Sequence, residues 1–420
     1  MGQGDWSRPI YIEEISQERY SHLPYFLIGS QKSALFPEGG NRGRHQCGGG
    51  FRSGECRKSG QQEIFERYNV EIMNRQIKIV ADEAIPFLKG VFEPYAEVVY
   101  RPGRQICRED LMDADALIIR TRTRCDENLL EGTRVRFIAT ATIGDDHIDF
   151  PYCDSRGIIV RNAPGCNAGG VTEYVFSALF GLASRRAINL QGGTLGIVGV
   201  GHVGSMVERM GLALGFKVLK CDPPRAEAEG SYGFCDLDTL LAESQIVTLH
   251  VPLDETTRGM ADRDFFAKMQ PGAFFINAAR GEVVCEDALL EAIPKLGPVI
   301  IDTWNNEPNI NLELMDKAAI ATPHIAGYSY QGKQNGTSAA VRAVAHYFGI
   351  TQLYEFFPKT ELAENEAVKL DLRGMNQGEI AAVFQYNYPI FTDDFMLRLH
   401  PEDFDKLRSE YNYRREVFID

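Results

Sequence analysis

From Gln76 onward the chain alternates short β-branched runs with amphipathic stretches, the pattern of βαβ units assembled into parallel sheets. Gln76–Asp82, Ala116–Thr121, Arg136–Thr142 and Ile158–Val160 read as strands of a first α/β unit. A long helical stretch, roughly Gly170 to Asn189, leads to a second unit that opens with the apolar run Thr194-Leu-Gly-Ile-Val-Gly-Val200. Its later strands are expected at Phe216–Asp222, Ile246–Val251, Ala273–Asn277 and Pro298–Asp302. Near Pro323 the pattern returns to the first unit through a second long helix, Gly336 to Phe348. The aromatics and Asp/Glu-rich turns of the last 65 or so residues predict a small α+β appendage.

Residues 1–72 break this rhythm. Eleven of the 40 glycines fall before position 61, and Gly39 to Gly60 is Gly, Arg, Ser and Cys with almost nothing to bury. Such a stretch cannot offset its own ordering entropy. The expectation is a disordered or non-native extension with Met73 as the biological start; a genuine flexible arm is the alternative.

Composition narrows the class. With 44% hydrophobic and 24% charged residues the chain has the balance of a soluble globular protein, and 420 residues suit two or three domains. A net charge of −14 argues against a general nucleic-acid binder, without excluding a local basic pocket. No apolar run approaches the roughly 18–20 residues of a membrane span. The nine cysteines form no CxxC pair, so reduced thiols in the cytoplasm are expected, and no metal site.

Gly199-Val-Gly201-His-Val-Gly204 is a G-x-G-x-x-G, a weak signal alone because a tight turn needs glycine too. Here it closes an apolar strand and opens a helix, Val203 to Leu214. In that setting glycines let backbone approach a pyrophosphate at a helix N-terminus. Asp222 ends the next strand, where a carboxylate accepts from the adenosine ribose hydroxyls and repels a 2′-phosphate. NAD is therefore favoured as cofactor. Arg225 keeps NADP open, and a solvated strand end is the plain alternative for Asp222.

Three polar residues follow consecutive strands: Arg280 in Asn277-Ala-Ala-Arg-Gly281, Glu307 in Asp302-Thr-Trp-Asn-Asn-Glu-Pro308, and His324 in Thr322-Pro-His-Ile-Ala-Gly327. Open α/β sheets bind ligands at these strand ends. Oxidising a 2-hydroxy acid requires a cation on the carboxylate and C2 oxygen, a base for the hydroxyl proton, and a carboxylate to orient that base. Arginine grips a carboxylate bidentately and histidine exchanges protons near neutrality. Singly, each residue also has a bland reading, as a surface ion pair or a structural histidine.

In these motifs the sequence resembles the D-isomer-specific 2-hydroxy-acid dehydrogenases. Ala163-Pro-Gly-Cys-Asn-Ala168, Cys221-Asp-Pro-Pro-Arg225, His324-Ile-Ala-Gly-Tyr328 and Phe404-Asp-Lys-Leu-Arg408…Tyr411…Arg414-Arg-Glu416 carry a closer likeness, to members acting on a phosphorylated four-carbon acid. The resemblance covers Met73 to the end. It implies Arg280, Glu307 and His324 as catalytic residues. It implies Gly199, Gly201, Gly204, Asp222, Val251, Ala278, Ala279, Asp302 and Gly327 at NAD, and Thr121, Thr142 and Tyr328 at the substrate. Thr121 stands where a serine is expected, and keeps the hydroxyl. The implied fold is α/β with two Rossmann-like parallel-sheet domains, one flavodoxin-like and one NAD-binding, and a small α+β C-terminal dimerisation domain. The substrate-binding domain would span 73–166, completed by 322–338; the NAD-binding domain 167–321; the dimerisation domain of a homodimer 350–420.

A phosphorylated substrate needs further donors. Alternation after the strand would send Arg120, Arg122 and Arg124 to one side; Lys333 and Arg414-Arg415, the latter reaching across a dimer, are other candidates. Two rival readings are a related enzyme acting on another acid, such as 3-phosphoglycerate, and an NAD-sensing corepressor that acts through partner peptides.

Overall fold

A computed structural model describes residues 76–359 and 365–419, so the expectations for 1–72 lie outside the described residues. The first sheet has the order β2-β1-β3-β4-β5: Ala96–Arg101, Ile77–Asp82, Ala116–Ile119, Phe137–Thr140 and Ile159–Arg161. The second runs β11-β10-β9-β8-β6-β7: Ile320–Ala321, Val299–Ile301, Phe274–Asn277, Ile246–Leu249, Thr194–Val198 and Lys217–Cys221. Every pair in both sheets is parallel. Numbered within its own sheet, each begins 2-1-3-4-5, the flavodoxin-like doubly wound order, and the second adds a sixth strand; β12 (Val368–Leu370) and β13 (Val417–Ile419) form a third, two-stranded sheet in the α+β tail.

One strand escapes the sequence pattern. β2 pairs with β1 over six residues, yet as an edge strand it buries only Ala96 fully, and Ala-Glu-Val-Val-Tyr-Arg has no clean apolar run. Strands β3, β4, β6, β7, β8 and β10 stop one or two residues before their expected ends, where backbone leaves the ladder to enter loops, whereas β1 and β9 end where expected and β5 one residue later.

Helix α1 (Ala168–Arg186) is buried all round from Ala168 to Ala183, as befits a helix wedged between a sheet and other helices. Helix α2 (His202–Ala213) follows the glycine fingerprint. Helix α3 (Tyr330–Phe348) starts six residues before the expected Gly336 because Ser329 Oγ accepts from Gly332 N at 2.9 Å; its first turns are too polar to show periodicity. Farther along, Ala340, Val341, Val344 and Ala345 close one face of the first sheet.

The tail is bound into this frame. In α4 (Gln377–Asn387), Phe384 stacks on Phe176 and Phe180 of α1, and Gln385 Nε2 donates to Ser177 O at 2.8 Å. On α5 (Ile390–Leu399), Asp394 Oδ1 accepts from Ala321 N at 2.7 Å, and Arg398 donates to the carbonyls of Met315 and Ala318. These contacts cover the open edge at β11, a device that blocks pairing with another chain. Phe404, at the start of α6 (Phe404–Ser409), is fully buried against the second sheet.

Candidate active site

The fingerprint glycines each meet a different steric demand. Gly199 has φ +85°, and a Cβ there would lie 2.7 Å from His250 O and 2.8 Å from a Val251 methyl. At Gly204 a Cβ would overlap Gly199 O, so only glycine lets α2 pack this closely on β6. Gly201 is the reverse: nothing lies within 4 Å of where its Cβ would point. A tight turn, an open approach and a close helix–strand contact are the three features a pyrophosphate cradle needs. The residues fit a dinucleotide.

Asp222 ties this loop to the next helix. Its Oδ2 accepts from Val200 N at 2.7 Å and its Oδ1 from Arg225 N at 3.1 Å, capping Pro223–Glu229. Arg225 is not free: its guanidinium is bidentate on Glu229, and Nη1 donates to Val200 O.

Arg280 leaves β9 along a loop held by Asn277, whose Nδ2 donates to Arg280 O at 2.9 Å while its Oδ1 accepts from Ala279 N at 3.1 Å. The guanidinium lies against the loop after β4: Nε faces Asp146 Oδ2 at 3.2 Å. A Cβ on Gly144 would overlap Nη2, so Gly144 reserves its place. Nη1 donates to Ala279 O at 2.8 Å, which leaves Nη2 without a protein acceptor among the described residues. Gly144 and Asp146 were not anticipated from the sequence. Their signal is Gly144-Asp-Asp-His147, a chemistry-bearing tetrapeptide just past a strand's C-terminal end.

Glu307 and His324 meet directly. His324 Nδ1 lies 3.0 and 2.9 Å from the two Glu307 oxygens, leaving Nε2 for other chemistry. Burial pushes the Glu307 carboxyl upward, but His324, Arg408 and the Trp304 N–H overcome it and hold the group below the usual range. The histidine is presented by a strained turn (φ +55°), its N–H donating to Asp302 O at 2.7 Å.

Asp302, expected at NAD, is buried with both oxygens engaged. Oδ1 accepts from Thr322 Oγ1 at 2.6 Å and Ile325 N at 2.8 Å, and Oδ2 from Ala326 N at 2.9 Å. Since Thr322 donates to Asp302, its oxygen accepts from Tyr174 at 2.8 Å. The structure thus gives Asp302 the task of fixing the loop that carries His324. Gly327, also expected at NAD, has the space beside its Cα filled by the Asn167 side chain.

The substrate candidates stand on three loops, after β3, β4 and β11. Thr121 is exposed in the turn after β3; Thr142 Oγ1 lies 2.6 Å from Thr140 Oγ1; Tyr328 packs against Tyr411 and Tyr413. Two expectations about phosphate donors need correction. β3 ends at Ile119, so strand alternation does not extend to the three arginines: Arg120 pairs with Asp82, Arg122 with Asp405 and Arg124 with Asp126, in three directions. Arg414 does not reach outward at all. Its buried guanidinium pairs with Glu173 at 3.2 Å and donates to the carbonyls of Ile325, Tyr328, Gly170 and Ala326. Beside it, Glu416 Oε1 accepts from Ser329 Oγ at 2.6 Å. The end of the chain braces the His324 loop.

Arg408 belongs to the tail motif but had no expected role. Its Nη1 lies 3.4 Å from Glu307 Oε2, and its Nε is buried without a partner. Among the described residues no cluster could hold a metal, the seven cysteines are free thiols, and no helix is long and apolar enough to cross a membrane.

Residues 179–326 match the family model for the D-isomer specific 2-hydroxyacid dehydrogenase NAD binding domain. An erythronate-4-phosphate dehydrogenase of Bacteroides fragilis is 44% identical over 347 residues, covering 81% of this chain and 97% of its own. A Yersinia pestis protein of the same name is 39% identical over 350 residues, covering 81% and 93%. Two solved structures share the fold. D-lactate dehydrogenase from Aquifex aeolicus, complexed with NAD and lactic acid, has TM-score 0.56 and 26% identity over 67% of this chain and 98% of its own. NAD+-bound 3-phosphoglycerate dehydrogenase of Entamoeba histolytica has TM-score 0.57 and 27% identity over 69% and 100%.

Proposed function

This chain belongs to the D-isomer specific 2-hydroxyacid dehydrogenase family, NAD-dependent oxidoreductases that act on a CH–OH group, and we propose that its substrate is 4-phospho-D-erythronate. The product is (R)-3-hydroxy-2-oxo-4-phosphooxybutanoate, formed in pyridoxine 5′-phosphate (vitamin B6) biosynthesis. The observation that carries the dehydrogenase chemistry is the His324–Glu307 pair at the ends of adjacent strands. The names of the two relatives that span nearly the whole described chain support the substrate.

NAD, when bound, supplies the acceptor for the hydride leaving C2. Gly199, Gly201 and Gly204 would cradle its pyrophosphate, with Val251, Ala278 and Ala279 beside them; Asp302, and Gly327 packed on Asn167, would serve by holding the loop. Asp222 would take the ribose, and Arg225, already committed to Glu229, would add little pull on a 2′-phosphate. Arg280 grips the carboxylate and the C2 oxygen, using the Nη2 that the protein leaves unused. His324 Nε2 takes the hydroxyl proton as C2=O forms, and Glu307 fixes the other nitrogen and favours the imidazolium that results. Thr121, Thr142 and Tyr328 line the substrate. The unit built on the first sheet, completed by 322–338, acts as substrate domain against the NAD domain at 167–321.

A homodimer through 350–420 is part of this reading. Tyr386, Phe395, Met396 and Leu399 stand exposed on α4 and α5, the apolar surface a partner copy would cover.

The test is kcat/KM with NAD for three acids: 4-phospho-D-erythronate, erythronate and 3-phosphoglycerate. Donors built for a phosphate reject an analogue lacking it by roughly 10⁴-fold where they stay buried, so erythronate should be a very poor substrate. The three-carbon acid places its charges too close and should turn over slowly. If 3-phosphoglycerate matches the four-carbon acid, the substrate assignment fails.

A further inference from the structure

Around Tyr328 the described residues hold more cations than carboxylates answer. Arg120 and Arg122 are spoken for by Asp82 and Asp405. Lys333, in the first turn of α3, is not: its Nζ lies 3.9 Å from the centre of the Tyr328 ring and 5.1 Å from that of Tyr413. Among the described residues no carboxylate comes within ion-pair range of it. Arg408 arrives from the tail beside Tyr328, sharing Glu307 with His324, its Nε unpartnered.

A partly buried cation without a counter-ion is costly, and proteins seldom keep one for stability alone. The electrostatics agree with a positive pocket. Burial lowers the Lys333 pKa, and the Arg120 and Arg408 charges push the same way. Burial should raise the Tyr328 phenol, yet Lys333, Arg408 and Arg122 bring it below the ordinary value. Neutral substrates would leave this field unused; a dianion would complete it.

We propose that Lys333 and Arg408, set about the Tyr328 ring, form the seat for the distal dianion of the substrate, a phosphate monoester. The assignment rests on the phosphorylated-acid reading above and deepens it. Two regions remote in sequence supply the seat: the continuous stretch from the loop after β11 into the first turn of α3, and α6 of the tail. The tail then serves the reaction directly, through Arg408 beside Glu307.

Titration calorimetry of the full chain with inorganic phosphate tests the seat without turnover, alongside the kcat/KM ratio of 4-phospho-D-erythronate to erythronate. Losing one charge-assisted contact in Lys333→Met should weaken phosphate binding roughly 10- to 100-fold and shrink the ratio by a similar factor. The Tm should stay level or rise, because the substitution removes a partly buried charge that no carboxylate answers; Lys333→Arg should recover part of the binding. Unchanged phosphate affinity in Lys333→Met, or affinity lost only together with a fall in Tm, overturns the seat. If phosphate binding needs Lys333 while the wild-type chain fails to oxidise the phosphorylated acid, the seat stands and the substrate assignment falls.

Discussion

At the end of β6 the chain works with backbone. Gly199 turns, Gly201 opens and Gly204 lets α2 close on the strand, all within six consecutive residues. Around Tyr328 the chain works with side chains, and they come from far apart: Lys333 on α3, Arg408 on α6, Arg122 after β3. The first region takes its shape from what is missing, three Cβ atoms. The second depends on long-range assembly, and the tail from Phe404 to Glu416 provides much of it. A cofactor common to a large fold class can be met by a local backbone device, whereas a particular acid needs charges placed one at a time.

The largest expected effect is at the proton acceptor. His324→Ala should lower kcat by roughly 10² to 10⁴-fold, the usual worth of a positioned general base, with Tm little changed since the side chain is partly exposed. Activity within a few-fold of wild type would remove His324 from the chemistry.

Next comes the brace. Arg414→Ala leaves Glu173 buried and unpaired and frees the carbonyls that anchor the His324 loop. Breaking one partner of a buried pair typically costs about 3–5 kcal/mol, so a large drop in unfolding free energy should accompany lost activity. An unchanged denaturation midpoint would mean that the tail does not hold the loop.

The glycines split the comparison more finely. Gly204→Ala forces a methyl onto Gly199 O and should cost about 1–3 kcal/mol of stability, as overpacking does. Gly201→Ala meets nothing in the protein, so Tm should hold while KM for NAD rises. If Gly201→Ala binds NAD normally, its open side does not face the pyrophosphate.

Much of the nucleotide corner was legible in sequence because its elements are contiguous: an apolar strand, a glycine triplet, a helix, and an acidic residue one strand later. Arg280, Glu307 and His324 each follow an apolar strand, so their arrival at one edge of the sheet could be anticipated from alternation alone. Other features could not. β2 hid because an edge strand half-exposed to solvent has no apolar run. The direction of Arg120, Arg122 and Arg124 depends on Asp82, Asp405 and Asp126, two of them distant in sequence. Arg414 looks like a surface cation beside Arg415, and only packing shows it buried on α1 and the 325–328 carbonyls.

The smallest effect is a pH slope. Burial pushes the Glu173 carboxyl up to about 7 despite Arg414. A group whose folded pKa is raised contributes stability that is present below its unfolded value, near 4.5, and lost as pH climbs through 7. Glu173→Gln keeps the shape without the titration, so its Tm should fall less than wild type between pH 5 and 8. Parallel curves would show that Glu173 is ionised throughout.

The central claim, that Glu307 acts on His324 during proton transfer, is tested most directly by the pH dependence of kcat for oxidation in Glu307→Gln. His324 must be neutral to accept the hydroxyl proton, so the rate rises with pH, and the Glu307 carboxylate at Nδ1 answers the positive charge that develops on the ring as the proton arrives. Replacing the carboxylate by an amide, with the Arg408 cation left beside it, should move the rising limb to lower pH and lower the plateau. A limb that stays in place at an unchanged rate would contradict the account.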